Sequence, residues 1–155
     1  MKIIAIDPGP VVSSSVVYDT DSGSIDANTE NNEQLLRYLR TNPRTRLVIE
    51  QVASYGMAVG EDVFETVFWS GRFAEAHGKA TRVKRITVKQ HVCHDTRAKD
   101  SNIRQALIDR FGAPGTKKNP GLTHGLKGGE WQALALAVTY AELVNPIPQP
   151  MEVLP

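Results

Sequence analysis

Two carboxylates carry the first chemical signal in this sequence. Asp7 ends the run Lys2-Ile3-Ile4-Ala5-Ile6, and Pro8-Gly9 follows at once. Glu50 ends a second run of the same kind, Arg46-Leu47-Val48-Ile49. Short runs of apolar β-formers read as buried strands. An acid at the end of a buried strand costs free energy unless it is paired or binds a cation. An Asx-turn over Pro8-Gly9 is one way to occupy Asp7. The second copy of the pattern favours another. Two strands that each deliver a carboxylate to one end of a sheet offer oxygen ligands to a hard divalent cation. Cys93, between His91 and His94, does not read as a zinc ligand, because the chain offers no tetrahedral partners for it.

The elements that must position these acids follow from periodicity. Residues 2–7 form a first strand and 13–19 a second. A turn at Thr20-Asp21-Ser22-Gly23 leads to a short third strand that starts at Ser24, giving an antiparallel meander. Asn31 or Asn32 caps a helix carrying Leu35, Leu36 and Leu39 on one face, and Thr41-Asn42-Pro43 stops it. The strand at 46–50 then follows a helical crossover, so it should lie parallel to the first. A loop at 51–60 precedes a helix at 61–77, with Val63, Phe64, Val67, Phe68 and Phe73 as its apolar stripe and Gly78 as its stop. Residues 81–86 read as a fifth strand. Thr87 and Asp100 are candidate caps for the helices that follow, one of them at 100–111. The Gly-, Pro- and Lys-rich stretch 112–127 is unusually long for a loop in a compact domain, which marks it as mobile or functional. A helix at 129–144, apolar almost all round, must be buried. The expected layout is one domain at 1–145 and a tail at 146–155 with four prolines.

The 155 residues suffice for one domain with a real core. The longest apolar run falls short of the ~18 residues of a membrane span, and the first residues read as a strand rather than a signal peptide. A single cysteine excludes an internal disulfide and fits a reducing cytoplasm. Net charge is +1, but its distribution is uneven. Residues 81–127 hold eleven Lys/Arg against three acids, net +8, and the rest of the chain is −7. A basic third in a near-neutral chain points to a polyanion partner.

The order meander, helix, strand, helix, strand, helices is that of the RNase H-like fold, a mixed five-stranded α/β sheet flanked by helices. The pair Ile6-Asp7-Pro8-Gly9 and Ile49-Glu50-Gln51-Val52 resembles the RuvC family of Holliday junction resolvases, in particular its small phage-encoded members. Thr87-Val88-Lys89 with Arg97-Ala98-Lys99-Asp100, and Trp131-Gln132-Ala133-Leu134-Ala135-Leu136-Ala137, resemble later segments of that family. The resemblance covers residues 1 to about 144. It implies a metal-dependent endonuclease that acts as a homodimer on four-way or other branched DNA in the cytoplasm of a bacterial cell or phage-infected host, making paired nicks. Two Mg²⁺ or Mn²⁺ ions per site would clamp the scissile phosphate, with Asp7 bridging them and Glu50 completing one site. Lys89, Arg97, Lys99 and Arg104 would contact phosphates, so affinity should fall steeply with salt. The dimer interface would be the helix at 61–77, through Phe64, Phe68 and Trp69.

The sequence departs from the family pattern at two places. Where the family has acids or His at the start of the last helix, this chain has Gly129 and Gln132. Glu130 is the nearest acid and the candidate third ligand; a helix N-terminal acid that only favours the dipole is its plainer reading. His124 reads as a solvated loop histidine. Where the family uses an aromatic to open base pairs, this chain has Ala53, and Tyr55 with Met57 are candidates for the wedge. Three other readings compete. They are an RNase H-like nuclease on other branched DNA or RNA, a junction-binding protein with weak or lost nuclease activity, and an actin-like phosphotransferase, for which 155 residues are too few.

Overall fold

The computed structural model describes Met1–Leu143. The expected tail at 146–155 and the last residue of the expected final helix lie outside the described residues. In chain order the elements are β1 (Lys2–Asp7), β2 (Val12–Asp19), β3 (Ile25–Asn31), α1 (Asn32–Thr41), β4 (Arg46–Gln51), α2 (Glu61–His77), β5 (Ala80–Lys84), α3 (Arg85–Cys93), α4 (Asp100–Phe111) and α5 (Gly129–Leu143). The sheet runs β3-β2-β1-β4-β5. β2 is antiparallel to β1 and β3, whereas β4 is parallel to β1 and β5 to β4. The mixed five-stranded sheet flanked by helices is the architecture expected from the sequence.

Side chains on a strand alternate between faces, and here the alternation sorts the core into two. Ile3, Ala5, Val16, Val48 and Val83 face α5, with α3 and α4 beside it. Ile4, Ile6, Leu47 and Ile49 face α1 and α2, where Leu35, Leu36, Leu39 and Phe73 meet them. α5 is buried on nearly every side from Glu130 to Ala141, as its composition requires. Strands buried on both faces read as continuous apolar runs, which β1 and β4 do.

The turn after β1 is pinned by a buried amide. Asn32, 1% exposed, donates from Nδ2 to the Gly9 carbonyl (2.9 Å) and accepts from Ser13 Oγ (2.7 Å); Ser13 Oγ in turn accepts from the Gly9 N–H (3.1 Å). A Cβ on Gly9 would stand 2.2 Å from the Val12 carbonyl oxygen, so the tight return to β2 needs glycine. The helix α1 is capped by Asn31, whose side chain accepts from the Glu33 N–H (2.9 Å).

Several boundaries differ from those expected. β3 is a full strand to Asn31 rather than a short one. β5 ends at Lys84, and α3 begins at Arg85, so Thr87 and Asp100 lie inside helices instead of capping them. The β-branched run Ile86-Thr87-Val88 reads as strand in isolation, but pairing with β4 ends at Gln51↔Lys84. On α2 only Thr66, Phe73 and His77 are buried, while Phe64, Val67 and Phe68 are 66%, 50% and 60% exposed. The loop 112–128 carries an antiparallel bridge between Gly115 and Pro120, with Thr116 and Asn119 exchanging backbone bonds at 3.1 Å. Among the described residues no helix is long and apolar enough to cross a membrane.

Replacing Asn32 with Ala strips the Gly9 carbonyl and Ser13 hydroxyl of their partner. The expected cost is about 2–3 kcal/mol, read from urea denaturation as a lower midpoint with an unchanged slope.

Candidate active site

The same alternation that builds the core gathers polar groups at one corner. Asp7 is in phase with Ile3 and Ala5, Glu50 with Val48, and Ser14 with Val16. All three therefore lie on the α5 side of the sheet. Because β1, β4 and β5 are parallel, Asp7, Glu50 and Arg85 also share one end of it. They line a cleft of about 310 Å³ together with Tyr55, Asp62 and Thr66.

The two carboxylates are strained electrostatically. Asp7 is pushed up to about 7, first by burial and then by the negative charge of Glu50, with Arg85 opposing both. Glu50 is also raised by burial, with the Arg85 guanidinium opposing and Lys89 adding a weaker positive contribution. Arg85 Nη1 stands 3.6 Å from Glu50 Oε1, and its Nη2 donates to Asp100 Oδ1. Among the described residues none hydrogen-bonds to the Asp7 carboxylate. The Asx-turn is therefore not how Asp7 is used; Asn32 and Ser13 hold that turn instead.

At the third corner the backbone of Gly129 takes the place of a side chain. A Cβ there would lie 2.6 Å from Asp7 Oδ2 and 2.8 Å from Ser14 Oγ. Gly129 thus faces the acids, and Glu130, one position round the helix, does not. Glu130 is 4% exposed, and its carboxylate accepts from Thr29 Oγ1 (2.9 Å) and from the Lys127 N–H (3.0 Å), closing the first turn of α5. Thr29 also exchanges a hydrogen bond with Ser14 (2.9 Å). The structure does not bring Glu130 to the pair as a third ligand; it joins Glu130 to the pair's neighbour Ser14. Gln132 is buried within α5.

The basic residues divide. Lys89 lies one turn beyond Arg85 on α3, near enough for its charge to act on Glu50. Lys99, at the start of α4, and Arg97 are exposed. Arg104 lies 5.1 Å over the ring of the core residue Trp131. Tyr55, with a left-handed backbone (φ 50°), is 54% exposed at the cleft, and Met57 is 73% exposed in the same loop without lining the cleft. Arg85, Asp62 and Asp100 escaped the sequence reading as site residues. The signal that could have found Arg85 is its place after β5, which matches the place of Glu50 at the end of β4.

The donor set admits a divalent cation in part. Two desolvated carboxylates, Asp7 without a hydrogen-bond partner among the described residues and Glu50 with only the long contact from Arg85, are oxygen ligands that gain from a cation, and Mg²⁺ needs only one or two carboxylates beside water and phosphate. Among the described residues no three His, Cys, Asp or Glu side chains come together as a complete metal site. Asp7 and Glu50 would hold such an ion, with the remaining positions left to water and substrate.

A mixed sheet in this order, with paired acids at the carboxyl ends of its two central parallel strands, defines an RNase H-like fold. Two solved structures of Thermus thermophilus RuvC, one of them in complex with a Holliday junction substrate, share it. Both match with a TM-score of 0.64, at 16% and 15% identity, over 91% of this chain and 93% of the other. The fold is RuvC-like. No family model matches the chain, and no curated protein matches it by sequence.

The folded-state value of Asp7 lies above its ordinary 3.8, so its contribution to stability is full below about pH 4 and is lost as pH rises through 7. The loss is at most about 4 kcal/mol. Asp7→Asn should therefore melt higher than the native chain in EDTA at pH 8, and the gap should close toward pH 4. Added Mg²⁺ at pH 8 should raise the melting temperature of the native chain and not of the variant.

Proposed function

We propose that this chain is a metal-dependent, structure-selective endonuclease that resolves four-way DNA junctions by paired nicks. The observation that carries the reading is the pair Asp7 and Glu50, buried side by side at the carboxyl ends of β1 and β4 in a RuvC-like fold. Burying two like charges together is costly and persists where a cation or substrate uses it. The solved relative bound to a Holliday junction supports the choice of substrate.

Asp7 and Glu50 would hold Mg²⁺ or Mn²⁺, in the two-ion arrangement that the sequence resemblance implies. The ion would supply Lewis-acid stabilisation of the phosphate and a more acidic bound water. The chain's own residues do the rest. Lys89, Arg97, Lys99 and Arg104 offer positive charge to the DNA backbone, and Lys89 is the one whose field reaches Glu50. Tyr55 stands at the mouth of the acidic cleft with much of its ring exposed, which suits it to stack on an opened base; Met57 flanks it. Glu130 acts as a positioning residue through Thr29 and Ser14 rather than as a ligand.

Paired nicks require two sites related by symmetry, so the working form is a homodimer. Its interface is the outward face of α2. There Phe64, Val67 and Phe68 are exposed together, and Arg72 lies 4.2 Å over Trp69 and 5.9 Å over Phe68. The phage-type affiliation and the cytoplasmic location belong to the same proposal and rest on the sequence resemblance and the single cysteine.

A second reading, a junction-binding protein with weak or no nuclease activity, is favoured by Gly129, which brings no carboxylate and where a Cβ would crowd Asp7 and Ser14. One experiment separates the two. A synthetic four-way junction and a plain duplex are incubated with the native chain and with Asp7→Asn, in Mg²⁺, Mn²⁺ or EDTA. The nuclease reading predicts symmetric nicks near the crossover with metal only, absent with Asp7→Asn and on duplex. Tight junction binding without cutting in any metal would establish the second reading. Neither binding nor cutting would refute both.

A further inference from the structure

Among the described residues Arg85 is the one cation in contact with Glu50, and its position is unusual. It is the first residue of α3, directly after β5, and its guanidinium reaches back to Glu50. Its guanidinium is divided between Glu50, whose side chain is 14% exposed, and Asp100, whose side chain is 71% exposed. An ion pair with so exposed an acid contributes little to stability. The Glu50 contact, at 3.6 Å, is longer than a charge-assisted hydrogen bond. Arg85 also lines the cleft that holds Asp7, Glu50 and Tyr55. A purely structural arginine would be enclosed and saturated with acceptors. This one is 30% exposed and lines the cleft.

We propose that Arg85 is a substrate-phosphate ligand that serves as the resident counter-ion of Glu50 until a divalent cation takes that place. The phosphate role rests on the nuclease reading; the counter-ion role rests on the geometry alone. Glu50 is largely buried beside Asp7, where a carboxylate needs a positive partner, and among the described residues Arg85 is the one in contact with it. With a divalent ion held by Asp7 and Glu50, that positive charge would no longer be needed from Arg85, and its guanidinium would be free to leave Glu50. Asp100, at the first turn of α4, then keeps Arg85 at the cleft mouth instead of releasing it to solvent. A guanidinium held there by one edge presents its other donors to a phosphate, whose oxygens match the fork. Lys89, four residues on, shares its helix face and adds charge behind it.

Three full-length proteins test this: the native chain, Arg85→Gln and Arg85→Lys. Mn²⁺ is titrated into each by calorimetry without DNA. Nicking of a four-way junction is then timed under single-turnover conditions at saturating Mn²⁺. Arg85→Gln should bind Mn²⁺ several-fold tighter than the native chain, because the competing cation is gone, yet nick about 100-fold more slowly. Arg85→Lys keeps the charge and loses the fork, so it should bind Mn²⁺ as the native chain does and nick at an intermediate rate. It also answers for the site if Arg85→Gln fails to fold, as judged by its melting in EDTA. Mn²⁺ affinity unchanged or weakened in Arg85→Gln would overturn the counter-ion role. Native nicking rates in Arg85→Gln or Arg85→Lys at saturating Mn²⁺ would overturn the phosphate role. If the native chain nicks no DNA, the nuclease reading fails and the phosphate role with it, while the Mn²⁺ comparison still decides the counter-ion role.

Discussion

The burial of Asp7 beside Glu50 is the constraint on which the rest of this structure turns. Neither acid is there to stabilise the fold, since each is held above its ordinary titration range by the loss of water around it. The fold accepts them because parallel β1 and β4 end at the same level, and because the strand period places both on the side of α5. Around them the chain arranges what keeps such a pair in place. Asn32 and Ser13 pin the turn after Asp7, and Arg85 stands against Glu50. The core supplies the rigidity: Ile3 to Ile6 and Leu47 to Ile49 are buried on both faces of the sheet, so neither strand can slip without exposing them.

The start of α5 shows how closely this corner is packed. Gly129 lets the helix backbone approach Asp7 and Ser14 so closely that a Cβ there would force their side chains to shift. The acid next to it, Glu130, is turned toward β3 and closes the helix through Thr29 and the Lys127 N–H. A site with two buried acids, a glycine wall and an arginine beside Glu50 would leave more of a cation's coordination to water and phosphate than a full set of acids would. Substrate then completes the site rather than entering a finished one.

Much of this was legible in the sequence, for physical reasons. Asp7 and Glu50 stand out because an apolar run ending in an acid is expensive, and the parallel pairing of their strands follows from the helical crossover between them. What escaped depended on information that only tertiary packing holds. Arg85 falls inside a β-branched stretch whose local preference is strand, and only the end of pairing at Lys84 turns it into the first residue of a helix at the active corner. Choosing between Gly129 and Glu130 needs the rotational phase of α5 against the sheet, and a helix apolar all round has no stripe from which to read it. The aromatic spacing on α2 suggests a core face, yet Phe64 and Phe68 point outward, because Phe73 and Trp69 already fill the space against β4 and α1.

The central claim is that Asp7 and Glu50 together form a divalent-cation site. Crystals of the native chain soaked in Mn²⁺, with anomalous diffraction recorded at the manganese edge, test it most directly. The account predicts an anomalous peak in contact with both carboxylates, with the Arg85 guanidinium withdrawn from Glu50. Manganese bound elsewhere, with the Arg85–Glu50 contact intact and no ion between the acids, would contradict it.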